Sequence, residues 1–146
     1  MSIFSMRPNL YTVHTDGAIR PEQGKSGLAA IVRDERGAIL HWWGMRAARM
    51  TCNEAEYAAA IMALEKIRTL QNPPRALEVY SDSQVLVHQM SGIATARASA
   101  LRQAQLRLRG LVVNFESVTF HHIPREQNRL ADALANDAAD GKGIGT

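Results

Sequence analysis

The sequence lacks the features that would place it outside the ordinary soluble proteins. It has one cysteine, Cys52, which excludes an internal disulfide framework and a cysteine-rich zinc site and favours a reducing compartment. No apolar run approaches the ~18 residues that a membrane-spanning helix needs. The N-terminus also lacks the basic-then-apolar order of a signal peptide. From these absences we expect a cytoplasmic protein that makes no use of a membrane.

The composition is typical of one folded domain. The 146 residues are 46% hydrophobic and 21% charged, and no repeat or linker divides them. We therefore expect a single domain over residues 1–146, with flexible ends at 1–8 and 141–146. Lysine and arginine exceed the acids by 17 to 14, a formal charge of +3. This mild basic bias favours anionic partners without identifying one.

Hydrophobic patterns predict nine elements in the order β-β-β-α-β-α-α-β-α. We expect strands at 10–15, 27–32, 38–44, 76–80 and 118–123, and helices at 53–70, 82–90, 97–111 and 124–140. A short turn at 34–37 favours antiparallel pairing of the second and third strands, and helices connect the later ones. The order predicts a mixed sheet with helices packed on it, and ligand sites in such sheets lie beyond the carboxyl ends of the strands.

Four acids fall where that edge of the sheet is expected. Asp16 ends the first predicted strand and Asp82 the fourth, while Glu56 begins the first long helix and Asp132 lies one or two turns into the last. Each has a structural alternative: a turn at Asp16, a helix N-cap at Asp82, and a solvated helix face at Asp132.

Glu56 depends on which residues cap its helix. A capping box from Thr51 to Glu54 would leave Glu56 on the buried stripe, whereas a box from Asn53 to Glu56 would use it up. A buried acid needs a counter-ion or a metal. Four acids at one edge repel each other unless cations neutralise them, and oxygen-only ligands favour Mg²⁺ or Mn²⁺. Two such ions about 3.5–4 Å apart promote in-line cleavage of phosphodiesters.

Four segments resemble motifs of the type I ribonuclease H family. They are Thr15-Asp16-Gly17, Asn53-Glu54-Ala55-Glu56-Tyr57, Ser81-Asp82-Ser83-Gln84, and the closing helix REQNRLADALA at 125–135, which carries Asp132. The resemblance runs from about residue 10 to residue 140. It implies an α/β fold with a five-stranded mixed sheet in the order 3-2-1-4-5, strand 2 antiparallel, and helices on both faces.

The resemblance also implies an activity, which is endonucleolytic cleavage of the RNA strand of RNA–DNA hybrids to 5′-phosphate and 3′-hydroxyl ends. Two Mg²⁺ ions would serve it, with Mn²⁺ as a substitute. Asp16 would bridge both ions, Glu56 and Asp82 would complete the ion that activates water, and Asp132 would hold the ion at the leaving oxygen. Three further residues would contact the hybrid: Thr51 at a DNA phosphate, and Asn53 and Gln84 in the minor groove.

The sequence departs from the better-known family pattern at two places. The Gly-His loop before the last helix is replaced by His122-Ile123-Pro124-Arg125. We favour Arg125 as a cationic, catalytic stand-in, against His122 and against a purely structural role for both. The basic protrusion is also missing, because residues 90–96 are too few for it. An arginine-bearing helix with no acid between residues 83 and 115 follows, either as a solvated face or as a weaker grip on phosphates.

We therefore expect a monomeric, Mg²⁺-dependent endoribonuclease acting on RNA–DNA hybrids. A domain that binds nucleic acid but cuts it poorly is one alternative. Another nuclease of the same fold, such as a junction resolvase or an integrase core, is a second. Double-stranded RNA as a further substrate stays open.

Overall fold

The computed structural model describes residues 8–142, so the predictions made for residues 1–7 and 143–146 lie outside it. Within the described range, nine regular elements follow one another: β1 (Leu10–Arg20), β2 (Lys25–Arg33), β3 (Ile39–Ala48), α1 (Cys52–Arg68), β4 (Ala76–Ser81), α2 (Gln84–Met90), α3 (Ser99–Val112), β5 (Ser117–His122) and α4 (Arg129–Ala139). Short 3₁₀ turns lie at Pro21–Gln23 and Arg125–Gln127. None of the helices in residues 8–142 is long and apolar enough to cross a membrane.

The strands form one sheet in the order β3-β2-β1-β4-β5. β2 runs antiparallel to both of its neighbours, whereas β4 is parallel to β1 and to β5. Helix α1 packs against β1 and β2 on one face of the sheet and also contacts α3. Helix α4 covers β1 to β3 on the other face. The predicted fold class and strand order are confirmed.

The two faces of the sheet are packed differently. The α1 face holds the larger core, with fully buried Val13, Leu64, Ile67 and Leu77 among its members. The α4 face is a thin seam of alanines: Ala18, Ala29, Ala135 and Ala139, with Leu134 beside them. Small side chains let α4 lie close to the sheet, and the start of the helix lies beside Thr15 in the middle of β1.

The sequence predicts that β1 ends at Asp16, but the strand continues to Arg20. Its last residues pair with β2, from Gly17 opposite Leu28 to Arg20 opposite Lys25. Gly17 serves a close approach rather than a turn, because a Cβ there would lie 2.7 Å from the backbone of Ala55 in α1. The parallel pairing of β1 with β4 does end before Asp16, so this carboxylate still lies at the expected edge.

Two helix starts also differ from the sequence prediction. α2 begins at Gln84 and is capped by Ser83, whose hydroxyl accepts a hydrogen bond from the Leu86 amide at 3.2 Å, so Asp82 is not the cap. The last predicted helix is a 3₁₀ turn followed by α4, because Asn128 (φ −121°, ψ 28°) interrupts the helical backbone. Asp132 consequently lies in the first turn of α4.

Candidate active site

Three carboxylates from three different elements meet at one end of the sheet. Asp16 of β1, Glu56 of α1 and Asp82, just past β4, each offer an oxygen, and these oxygens lie within 4.8 Å of one another. Asp16 and Asp82 converge because they stand two residues beyond the paired residues His14 and Tyr80 on adjacent parallel strands. Asp16 and Glu56 are only 3% and 7% exposed, and Asp82 is half-buried.

The start of helix α1 directs Glu56 into the site. Thr51 and Glu54 form a reciprocal capping box: the Thr51 hydroxyl accepts from the Glu54 amide at 3.2 Å, and the Glu54 carboxylate accepts from the Thr51 amide at 2.9 Å. The alternative box from Asn53 to Glu56 is therefore wrong. Glu56 instead accepts a hydrogen bond from the Gly17 amide at 2.9 Å, and the same amide donates to Asp16 at 3.0 Å.

Asp132 approaches the group from α4. It lies outside the three mutually close acids, but it is near enough to Asp16 to raise the pKa of that carboxyl. The N-terminus of α4 is fixed to β1 by Asn128, which is 2% exposed and donates from Nδ2 to the carbonyl oxygen of Thr15 at 2.9 Å. Because this side chain reaches across to the strand, it does not cap its own helix. The structure thus brings all four predicted acids to one end of the sheet.

The crowded carboxylates hold their protons unusually strongly. Burial, followed by the charges of Asp82 and Asp132, raises the pKa of Asp16 to about 7. Burial and the charges of Asp16 and Asp82 raise the pKa of Glu56 to about 9. Burial also raises the pKa of Asp82, against the opposing charge of Arg125. An all-oxygen cluster with this deficit of positive charge fits a hard divalent cation, which would favour its ionised form.

These shifts predict how the stability of the metal-free protein depends on pH. The unfolded chain loses its carboxyl protons near the ordinary pKa, whereas folded Glu56 keeps its proton up to about 9. Between these values the folded state binds more protons, so the free energy of unfolding falls as the pH rises. We expect the free energy of unfolding to fall by about 3 kcal/mol between pH 5 and pH 9. This loss is smaller than the full pKa shift of Glu56 would give, because the neighbouring carboxyls share the bound protons.

Thermal unfolding in chelator across this pH range measures the effect. A Glu56→Gln variant is the control, and its stability should depend much less on pH. Added Mg²⁺ should restore the stability of the unmodified protein most strongly at high pH. A metal-free protein equally stable at pH 5 and pH 9 would contradict the pKa directions given above.

Asp16, Glu56 and Asp82 border an open cavity of about 270 Å³. Both candidates for the missing Gly-His loop, His122 and Arg125, line it and are exposed. Exposed Cys52 lines it too; sequence reasoning gave this residue no role, and no motif signals one. The charge of Arg125 reaches both Asp82 and Cys52, whose pKa values it lowers against burial.

The predicted substrate contacts lie at the starts of two helices that border the site. Thr51, Asn53 and Gln84 are all exposed. Thr51 accepts a hydrogen bond within the capping box, which leaves its hydroxyl proton for another acceptor.

The arginines of the region around α3 divide into two groups. All four, Arg97, Arg102, Arg107 and Arg109, are exposed, but two of them have partners within the protein. Arg107 pairs with Glu65 at 2.7 Å, and Arg109 donates to the carbonyl oxygen of Gln89 at 3.3 Å. The structure therefore leaves both interpretations of this surface open.

Comparison with known proteins agrees with the fold. Residues 14–138 match the family described as reverse transcriptase-like. Ribonuclease HI of Halobacterium salinarum is 34% identical over 125 residues, 86% of this chain and 62% of that protein. Ribonuclease H of Mycolicibacterium gilvum is 30% identical over 141 residues, 87% of this chain and 90% of its own length.

Solved structures show the same relationship. The crystal structure of the Halobacterium enzyme superposes with a TM-score of 0.85 at 32% identity, covering 91% of this chain and 99% of that one. LC11-RNase H1 in complex with an RNA/DNA hybrid gives a TM-score of 0.83 at 32% identity, covering 90% of this chain and 97% of that one.

The chain therefore belongs to the reverse transcriptase-like family and, within it, to the ribonucleases H. It spans 62% of the length of the Halobacterium relative and 35% of a bifunctional Mycobacterium tuberculosis relative, Rv2228c.

Proposed function

We propose that this chain is an endonuclease that hydrolyses the RNA strand of RNA–DNA hybrids and leaves 5′-phosphate and 3′-hydroxyl ends. The observation that carries the proposal is the group formed by Asp16, Glu56 and Asp82, whose oxygens lie within 4.8 Å of one another, with Asp132 beside Asp16. The hybrid complex of LC11-RNase H1 supports the choice of substrate. We assign the chain to the type I ribonucleases H that lack the basic protrusion and the Gly-His loop.

The four acids are proposed to hold two Mg²⁺ ions, or Mn²⁺ in their place. When bound, such ions lower the pKa of an attacking water and neutralise the leaving oxygen. In this arrangement Asp16 would contribute to both positions, Glu56 and Asp82 would complete the one on the water side, and Asp132 would complete the one on the leaving side. The Gly17 amide holds Glu56 and Asp16 in register through its two hydrogen bonds.

The substrate is proposed to lie across the starts of α1 and α2. Thr51 donates to a DNA phosphate, and Asn53 and Gln84 contact the minor groove. Glu56 lies near the 2′-hydroxyl, the group that distinguishes RNA from DNA. We propose a monomer in which the described residues 8–142 form one domain, with double-stranded RNA as a second substrate to be tested.

A cleavage assay tests the proposal directly. Labelled RNA–DNA hybrid, double-stranded RNA, DNA duplex and a four-way DNA junction are incubated with the protein, with Mg²⁺ or with chelator. We expect the RNA of the hybrid to be cut only with metal. Hybrid that is bound but never cut would favour a binding domain, and cutting of the junction would favour a resolvase. Cutting that persists in chelator would contradict the metal mechanism.

Arg125 is proposed to assist turnover, and a pair of variants separates it from His122. We expect Arg125→Ala to lower kcat about tenfold, because it removes the cation beside Asp82, while the KM for hybrid stays within about twofold. His122→Ala should behave as the unmodified protein does. Steady-state kinetics at saturating Mg²⁺ measure both. A kcat lowered by His122→Ala and unchanged by Arg125→Ala would assign the role to the histidine.

A further inference from the structure

Asp132 is held by a side chain one helical turn further along α4. Asn136 donates from Nδ2 to the Asp132 carbonyl oxygen at 2.8 Å and to the Asp132 carboxylate Oδ1 at 3.3 Å. A contact between residues four apart on a helix restricts the rotamers of both side chains. Asp132 is the acid that most needs this restriction, because it is only partly buried and stands outside the three mutually close carboxylates.

The direction in which the Asn136 amide points is fixed by Arg20. The Arg20 guanidinium donates to Asn136 Oδ1 at 2.8 Å, so the opposite end of the amide, the donor Nδ2, faces Asp132. Asp140 anchors the guanidinium in turn, with its Oδ1 2.9 Å from Nε and its Oδ2 3.2 Å from a terminal nitrogen. The hydrogen bond from Arg20 lowers the pKa of Asp140.

These contacts join the strand that carries Asp16 to the helix that carries Asp132. Arg20 ends β1, the strand that carries Asp16, and Asn136 lies on α4, the helix that carries Asp132. We infer that Arg20 and Asn136 are positioning residues that orient the Asp132 carboxylate toward Asp16 and thereby set the affinity for the divalent cation shared by these two acids. The inference rests on the proposed role of Asp132 as a metal ligand. Residues that orient a ligand commonly affect metal affinity about tenfold or more.

Calorimetric titration with Mn²⁺ tests the inference without relying on catalysis. We expect Asn136→Ala to weaken binding of the Mn²⁺ ion shared by Asp16 and Asp132 about tenfold. Arg20→Ala should weaken it about threefold, because the Asn136 amide can then turn. Asp137→Asn is the control, since Asp137 is exposed, follows Asn136 on α4 and is not hydrogen-bonded to Arg20; it should leave Mn²⁺ affinity unchanged. Alanine is a better helix former than asparagine, so the unfolding temperature of Asn136→Ala should not fall.

Kinetics supply a second measurement that a purely structural role would not move. We expect kcat of Asn136→Ala to be low at limiting Mg²⁺ and to recover at saturating Mg²⁺, with the KM for hybrid unchanged. Mn²⁺ affinity of Asn136→Ala equal to that of the unmodified protein, or an equal loss in Asp137→Asn, would overturn the positioning role alone. An unmodified protein that neither binds Mn²⁺ nor cuts hybrid would overturn the proposed function as well.

Discussion

Replacement of Asp82 by asparagine is expected to lower the rate of hybrid cleavage by about a thousandfold, with hybrid binding kept within a few-fold. The rate loss corresponds to about 4 kcal/mol of transition-state stabilisation. The reason is that Asp82 supplies one of three oxygens within 4.8 Å of one another, and an amide oxygen carries no charge to hold a divalent ion at this point. Single-turnover cleavage and hybrid binding in Ca²⁺ or chelator measure the two effects separately.

The matched control for this experiment is Asp137→Asn. Asp137 lies on α4 five residues beyond Asp132, is exposed, and changes the net charge by the same amount when replaced. It should cleave as the unmodified protein does. Full activity in Asp82→Asn would remove this residue from the metal site. A variant that loses binding together with cleavage would show that Asp82 acts through the substrate or the fold.

The parts of the site that the sequence predicts are those set by local patterns and strand order. Asp16 and Asp82 close the first and fourth strands as predicted from the sequence, and the family resemblance implies that these strands are neighbours, so the convergence of the two acids needs only the sheet order. The capping box of Thr51 and Glu54 is likewise local, and it leaves Glu56 turned toward the carboxylates. In these places a short-range rule and the global fold require the same arrangement.

What the sequence does not predict depends on contacts between distant residues. Asp16 and Gly17 look like a turn, yet residues 17–20 continue the strand by pairing with β2, and the missing side chain of Gly17 admits Ala55 of α1. The hydrogen bond from Arg20 to Asn136 joins residues 116 positions apart, and no rule of sequence spacing predicts it.

Asn128 shows the same limitation in another form. As an N-cap asparagine it would be expected to cap α4, but its Nδ2 donates to Thr15 across the sheet and its Oδ1 is left buried without a hydrogen-bond partner. A buried polar atom left unpaired is costly, and the contact that accompanies it fixes α4 to Thr15 of β1, next to Asp16. Only the tertiary structure reveals that the residue joins the two elements.

The largest effect on stability is expected at Gly27 of β2, which lies directly against the backbone of α4. A Cβ at Gly27 of β2 would collide with the backbone oxygen of Ala135 and the backbone nitrogen of Ala139. Backbone atoms of a helix cannot move aside as a side chain does, so α4 itself would have to shift. We expect Gly27→Ala to lower the free energy of unfolding by about 4 kcal/mol, as measured by urea denaturation.

Gly44→Ala is the matched control, because it adds the same methyl group under the same helix. Its Cβ would meet mainly the Leu134 side chain, with Cδ1 at 3.1 Å, and this side chain can turn away. We expect a change within about 1 kcal/mol. Equal losses in the two variants would show that α4 is free to move outward as a body. Because α4 carries Asp132 while Asp16, Glu56 and Asp82 lie on other elements, folded Gly27→Ala should also need more Mg²⁺ for cleavage than Gly44→Ala. The same close contact that stabilises the alanine seam therefore places the fourth carboxylate.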